Sequence, residues 1–221
     1  MKFVLSQRAI LRTQRAIYGL EAADDLFTAL STGDPKVQEE IVDKFNEIRR
    51  SVEPTTGNML KIAWNEEAAL NAENWGKKCT LSHSPSKNRK ISFANCGENI
   101  YMSTGIKPWS DVIQEFYDEV KDFRYGYGPT KKAVTGHYIQ LVWATSHQLG
   151  CALSHCLHKK FQYYYICHYC PRTEWEMLMA NPCMYVDHYT NCPKLTKSAG
   201  CDDDTMKEKC QATCKCPTAI K

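Results

Sequence analysis

The chain has 221 residues, of which 43% are hydrophobic and 24% charged, and its formal net charge is +3. This composition is ordinary for a globular protein and leaves room for one large or two smaller domains. The net charge is small, and Lys and Arg are interspersed with Asp and Glu, which argues against nucleic acid or a membrane surface as the partner. No apolar run is long enough to span a membrane, so we expect a chain that does not cross one.

Twelve cysteines are distributed unevenly along the chain. None precedes Cys79, six lie between Cys79 and Cys170, and six lie between Cys183 and Cys216. An even number in each group predicts two separate disulfide frameworks. Zinc knuckles would need paired C-x-x-C motifs, and only Cys167 and Cys170 are spaced in this way.

Disulfides form in oxidising compartments, so the cysteines predict a secreted, extracellular protein. Residues 1–20 contain only a short apolar run at 3–5 and lack the apolar centre of a signal peptide. Either the native start differs from Met1 or the chain is not exported, and the cysteines favour the first alternative.

The predicted elements begin after a lead-in arm at residues 1–33. Asp34-Pro35 has the pattern of a helix N-cap followed by the first helical residue, and apolar residues at helical spacing continue until Pro54. A second amphipathic helix is predicted between Trp64 and Cys79, with Asn65 as its cap. A loop at 82–95 separates it from a third helix, predicted for 108–123.

A β-hairpin is predicted near the end of this region. Residues 148–155 and 161–169 alternate and are rich in tyrosine, and residues 156–160 would close the turn. A further short strand is predicted at 99–103. Three helices and these strands indicate a mixed α+β domain spanning 34–171.

The C-terminal part differs in kind, because residues 183–216 hold six cysteines but few large apolar side chains. Chains below about 40 residues seldom fold without disulfides, a metal or a partner. We therefore predict a small disulfide-held module at 183–216, joined by a linker at 172–182 and followed by a tail at 217–221.

Four titratable residues lie in suggestive places: His83, Glu98, Glu119 and His137. Their spacing matches no known metal or catalytic motif, since the chain has neither H-E-x-x-H nor a serine elbow. Every cysteine also has a plausible disulfide role, which leaves no obvious thiol nucleophile.

Several longer motifs resemble the successive motifs of the CAP superfamily. They are His83-Ser84-Pro85, Cys96-Gly97-Glu98-Asn99, Gly136-His137-Tyr138 with Gln140 and Val142-Trp143, and Tyr165-Ile166-Cys167-His168-Tyr169-Cys170-Pro171. With the cysteine-rich tail, residues 17–221 resemble the mammalian cysteine-rich secretory proteins. The resemblance implies an α-β-α sandwich, the CAP fold, followed by a disulfide-rich helical module similar to the ShK-like ion channel regulatory domain.

The resemblance also implies that His83 and His137 line a cleft with Glu98 and Glu119. Two neutral imidazoles can bind zinc while carboxylates orient them, and a site with two histidines should be weak and reversible. The alternative is a hydrogen-bonded network that only stabilises the sandwich. No residue is assigned a catalytic role, and a zinc-dependent hydrolase is the least favoured of the functions considered.

The family's disulfide order, carried over to this chain, implies six bonds. They are Cys79–Cys156, Cys96–Cys170 and Cys151–Cys167 in the first domain, and Cys183–Cys216, Cys192–Cys210 and Cys201–Cys214 in the tail. Positions 151 and 167 can also face each other across the predicted hairpin. From sequence alone, the 15 pairings that six cysteines permit stay open for the tail.

The chain departs from the family pattern in two places. A hinge with four further cysteines is expected after Pro171, but Arg172 to Ala180 follows instead, so the hinge segment is missing. Ile139 stands where the family usually has Thr, a change expected to alter packing more than chemistry.

These features predict a secreted, non-enzymatic binding protein. The resemblance implies roles in sperm maturation or fertilisation, with the tail modulating an ion channel or meeting a cell-surface protein on gametes. A generic interaction module is the alternative for the tail. Sterol or lipid binding by the first domain is the alternative for the whole protein.

Overall fold

A computed structural model of the chain describes residues 25–53, 59–125, 127–130, 133–173, 185, 187–189 and 191–215. Helix α1 spans Pro35–Arg50, and the side chain of Asp34 caps it by accepting a hydrogen bond from the backbone N–H of Lys36 at 2.9 Å. This confirms the predicted start. The helix ends at Arg50, earlier than expected, and Val52 is buried beyond its end. Pro54 lies outside the described residues.

Helix α2 spans Glu66–Gly76 and is capped by Asn65, which accepts from the backbone N–H of Ala68. The short strand β1, Ala63–Trp64, precedes it. Small residues let α2 lie directly on the sheet: a Cβ added to Gly150 would fall 2.1 Å from the backbone nitrogen of Ala69. Only glycine permits so close an approach of helix and strand.

The predicted loop at 82–95 contains short regular elements. A 3-10 helix covers Ser86–Arg89, and strands β2, Lys90–Ile91, and β3, Ala94–Asn95, form a small antiparallel pair. These elements lead directly into β4.

The main sheet has four strands. Strand β4 covers Gly97–Ser103, and helix α3 follows at Trp109–Tyr117. A 3-10 helix continues from Asp118 to Asp122, so the prediction of a single α-helix to residue 123 was wrong beyond Tyr117. The change to a tighter turn occurs where Glu119 directs its carboxylate to the segment after residue 135.

Two short strands, β5 at Phe123–Arg124 and β6 at Gly128–Pro129, precede helix α4 at Gly136–Leu141. Strands β7, Gln148–His155, and β8, Tyr163–Cys170, then form the predicted hairpin. The sheet order is β1-β7-β8-β4, with only the β1–β7 pair parallel.

Helices cover both faces of this sheet. Alternate residues of β8 belong to different cores: Tyr165 and Cys167 pack with side chains of α1 and α3, whereas Tyr164 and Ile166 pack with Ala72 of α2. All eight residues of β8 are buried. The domain is therefore an α-β-α sandwich, and the predicted fold is confirmed.

Residues 25–33, which the sequence places in the lead-in arm, pack on this domain. Residues 25–29 are helical, and Phe27 and Leu30 lie against the core cluster of α1 and α3. The indole N–H of Trp109 donates to the carbonyl of Leu30 at 3.0 Å. Residues 1–24 lie outside the described part.

The buried side chain of Arg49 holds the connection between α4 and β7. It is 1% exposed, and its guanidinium donates to the carbonyls of Leu60, Leu141, Trp143, Ala144 and Ser146 at 2.8–3.3 Å. Burial lowers the pKa of Arg49 to about 10, so it stays charged at neutral pH. The charge is satisfied by carbonyl dipoles.

The described part of the tail module contains three short helices: α5 at Cys192–Ala199, α6 at Asp204–Lys209 and α7 at Gln211–Lys215. Among the described residues of the tail, the buried apolar cluster is small and consists of Cys192, Met206 and Cys210. Residues 174–182 of the predicted 172–182 linker and the predicted Cys183–Cys216 bond lie outside the described residues. Among the helices that are described, none is long and apolar enough to cross a membrane.

Candidate functional site

Helix α4 combines core packing with a titratable side chain. Tyr138 and Leu141 are buried, whereas the His137 side chain is 30% exposed. The ring of His137 lies 5.0 Å from that of Phe116 in α3, measured between centroids. The apolar residues anchor the helix, and the imidazole is left at the edge of a cleft.

Glu98 in β4 is the centre of a hydrogen-bonded network. Its Oε1 accepts from His83 Nδ1 at 2.7 Å and from the backbone N–H of Ser84 at 2.9 Å. Its Oε2 accepts from Ser84 Oγ at 2.6 Å and pairs with His168 Nε2 at 3.0 Å. The Glu98 side chain is fully buried, while that of His83 is 55% exposed. The buried Glu98 carboxylate thus holds the exposed imidazole of His83 in place.

Two opposing effects act on the Glu98 carboxyl. Burial tends to raise its pKa, but hydrogen bonds from His168, His83 and Ser84 outweigh this and hold the pKa well below its usual range. Arg89 adds a cation, with Nη1 3.6 Å from Oε1. Glu98 is therefore a carboxylate at any physiological pH.

The second imidazole is held in the same way. His137 Nδ1 lies 2.7 Å from Oε1 of Glu119, whose Oε2 accepts from the backbone N–H of Tyr138 at 3.0 Å. Asn99 donates to the carbonyl of His137 at 3.0 Å, which ties α4 to β4. Each predicted histidine therefore has one predicted glutamate as its partner.

His83, Glu98 and His137 line a single cavity of about 320 Å³. Glu119 does not line this cavity and lies behind His137. Most of the further lining residues are polar or small, among them Ser86, Arg89, Gly97, Asn99, Gln140 and Arg172, and Val134 adds an apolar side chain. The structure therefore brings three of the four predicted residues to one cleft, and Glu119 supports His137 from outside the cavity lining.

The donor set determines what this cleft can do. Carboxylates engage Nδ1 of both imidazoles, so Nε2 is the nitrogen left for a ligand. Among the described residues there is no group of three or more His, Cys, Asp or Glu placed to hold a metal ion. Ser84 Oγ donates to Glu98 rather than to an imidazole, so it is not paired with a histidine base.

His168 belongs to the network but was not predicted as a site residue. It is fully buried in β8 and lies opposite Glu98 in the strand register. Its Nδ1 has no hydrogen-bond partner within the described residues. The available signal was its position in a strand whose neighbours are apolar or aromatic, since a polar residue there requires a buried partner.

The structure contains five disulfides in its described part. Three lie in the sandwich: Cys79–Cys156, Cys96–Cys170 and Cys151–Cys167. Two lie in the tail: Cys192–Cys210 and Cys201–Cys214. Residues 151 and 167 are direct register partners in the β7–β8 hairpin.

Family comparisons agree with this architecture. The model described as "CAP: Cysteine-rich secretory protein family" matches residues 42–169, and the model "Crisp" matches residues 167–221. Cysteine-rich secretory protein 2 of Homo sapiens is 43% identical in an alignment that covers 90% of this chain and 92% of that protein. Cysteine-rich secretory protein 3 of Homo sapiens is 41% identical over 90% of this chain and 91% of that protein.

Solved structures show the same fold. Venom allergen-like protein 4 of Schistosoma mansoni has a TM-score of 0.52 at 20% identity, covering 66% of this chain and 90% of that chain. The crystal structure of NaASP2 with Zn2+ has a TM-score of 0.51 at 23% identity, and the match covers 67% of this chain and 85% of that chain. The chain therefore belongs to the cysteine-rich secretory protein family, with a CAP domain and a cysteine-rich tail.

Proposed function

We propose that the protein is a secreted, non-enzymatic binding protein in which the CAP domain is the platform and the tail is the binding module. Its partner is an ion channel or another cell-surface protein on gametes, and its role lies in sperm maturation or fertilisation. The names of its relatives support secretion.

One observation carries this proposal: the described surface of the tail has exposed aromatic side chains and a cationic side chain close to one of them. Tyr185 and Tyr189 are 42% and 43% exposed. Lys215 Nζ lies 4.4 Å from the centroid of the Tyr185 ring. Aromatic residues beside a cation are common among the residues that contribute most to protein–protein binding.

The arrangement in the cleft supports a non-enzymatic role. A hydrolase of the serine type needs a hydroxyl next to a base, and Ser84 is instead bound by a carboxylate that is itself saturated with hydrogen bonds. A zinc hydrolase needs three protein ligands and an open position. The cleft contains two imidazoles, those of His83 and His137, which is one ligand fewer than such a site requires.

Patch-clamp recording of sperm and calcium-release channels with the full chain tests the proposal. The Tyr189→Ala variant should lose most of its effect on the current. The matched control is Tyr127→Ala, which removes a tyrosine that is 79% exposed on the CAP domain and should leave the effect unchanged. No effect of the unmodified chain on any channel, with sperm binding retained, would favour the generic interaction module.

We further propose that the cleft binds a divalent metal ion such as zinc, weakly and reversibly. His83 and His137 would be its ligands, and Glu98 and Glu119 would orient them. The fold is compatible with zinc, as NaASP2 has been crystallised with it. A bound ion would join the two sides of the cleft and supply a Lewis acid.

Calorimetric titration of zinc into the protein tests this site. His83→Ala and His137→Ala should each weaken binding about tenfold or more. His158→Ala removes an exposed histidine from the β7–β8 turn and serves as the control. Equal zinc affinity in all variants would contradict the proposed metal site. It would leave the proposed binding role of the tail unaffected.

Lipid binding is the second candidate function, favoured by a groove of about 730 Å³ between α2, the end of β7 and residues 27–38. Phe27, Leu70 and Leu153 are among its apolar lining residues, and Glu66 and Glu73 also line it. Binding of a fluorescent sterol that Leu70→Asp abolishes would support this alternative.

A further inference from the structure

The turn between β7 and β8 forms an exposed basic tip. Leu157, His158, Lys159 and Lys160 are all exposed, and Leu157 is 60% accessible although it is apolar. The turn sequence from 156 to 162 contains no acidic residue. An apolar side chain at the apex of a turn has no role in the core of this domain.

The fold adds more lysines to this tip from a distant part of the chain. The Cys79–Cys156 disulfide joins the end of α2 to the turn, with a Cα–Cα distance of 5.5 Å across 77 residues of sequence. Lys77 and Lys78, both exposed, immediately precede Cys79. Four lysines therefore lie at one end of the molecule, and we refer to residues 77–78 and 157–160 as the basic tip.

Two of these ammonium groups lie over aromatic rings. Lys78 Nζ lies 4.8 Å from the centroid of Trp75, and Lys160 Nζ lies 5.4 Å from that of Phe161. Lys77 is paired with Glu73 at 2.9 Å, whereas Lys78, Lys159 and Lys160 form no salt bridge with another described residue. The four lysines give this end of the molecule a local excess of positive charge. The net charge of the whole chain, +3, does not reveal this excess because it averages over all residues.

We propose that the basic tip docks on an anionic lipid surface, with Leu157 entering the headgroup region and the lysines binding lipid phosphates and carboxylates. An exposed apolar side chain flanked by exposed lysines matches a surface that is charged outside and apolar beneath. This role is independent of the tail and of the metal cleft. It would bring the CAP domain to a membrane that the chain does not cross.

Sedimentation with vesicles of mixed phosphatidylserine and phosphatidylcholine tests the proposal on the full chain. Each lysine near an anionic surface strengthens binding about fivefold, so Lys159→Gln/Lys160→Gln should weaken it about 25-fold. Leu157→Ser should weaken it roughly tenfold, because the apolar contact is lost. All of these side chains are exposed, so the variants should fold normally.

The control variant is Lys194→Gln/Lys197→Gln, which removes the same charge from exposed positions of the tail. It should bind vesicles as the unmodified chain does. An equal loss in the control would show that net charge alone governs binding and would overturn the proposal. So would absence of binding to the mixed vesicles, or equal binding to vesicles of phosphatidylcholine alone.

Discussion

Replacing Arg49 with methionine separates two contributions of this buried side chain to stability. Methionine retains an apolar stem of similar length, so packing is largely preserved. It removes every hydrogen bond that the guanidinium donates to the five carbonyls. If packing were the main contribution, methionine would be tolerated.

The magnitudes favour the hydrogen bonds. Each buried carbonyl left without a partner costs about 1–3 kcal/mol. Relief of the desolvation that lowers the pKa of Arg49 to about 10 offsets this by about 3 kcal/mol. We therefore expect Arg49→Met to lower the free energy of unfolding by about 4 kcal/mol. Arg49→Lys should lose about half as much, because an ammonium group can satisfy up to three acceptors.

Denaturant unfolding with intact disulfides measures these differences, and thermal melts should show a fall of roughly 10 °C for Arg49→Met. Arg50→Met is the control, since Arg50 is exposed on the same helix and should change stability by less than about 0.5 kcal/mol. If Arg49→Met were no worse than Arg50→Met, or no worse than Arg49→Lys, carbonyl satisfaction would not be the reason for the buried charge.

Three further predictions concern the sheet, the cleft and the tail. Gly150→Ala should destabilise the domain by about 3 kcal/mol or prevent folding, because the added Cβ would collide with the α2 backbone. Gly105→Ala is the control, since the space around Gly105 is open, and it should leave the melting temperature unchanged. Because the pKa of Glu98 is lowered in the folded state, its contribution is complete above about pH 5 and declines as the pH falls. Denaturant unfolding across this pH range should therefore show that Glu98→Gln is less stable than the unmodified chain at pH 7. The difference in the free energy of unfolding between the two proteins should become smaller as the pH falls. Replacing Cys192 and Cys210 together with alanine should unfold the tail alone, visible as faster proteolysis of the tail with an unchanged CAP domain melt.

Local sequence signals predicted the elements with local causes. Asp34 and Asn65 cap their helices because a side-chain acceptor near a helix start binds the first free N–H groups, whatever the rest of the chain does. The hairpin at 148–155 and 163–170 follows from alternation and a short turn. The break in the third helix at Tyr117 depends on contacts with α4, which the local pattern does not contain.

Residues whose role depends on tertiary contacts were harder to predict. Arg49 and Arg50 are neighbours in one helix, and the sequence alone does not distinguish them. Only the folded structure shows that Arg49 is buried against backbone carbonyls while Arg50 is exposed to solvent. His168 is likewise explained by Glu98, 70 residues away. The resemblance implied His83, Glu98, Glu119 and His137, but the structure alone shows that Glu98 holds His83 and the buried His168, while Glu119 holds His137.

The strand order has a consequence for biosynthesis. Both central strands of the sheet come from residues 148–170, after all the helices of the sandwich have been made. Each of its three disulfides also needs a cysteine from 151–170. A nascent chain that ends before Gln148 therefore exposes the apolar faces of its helices and keeps Cys79 and Cys96 unpaired. We expect such chains to depend on chaperones and oxidoreductases until the hairpin has been synthesised.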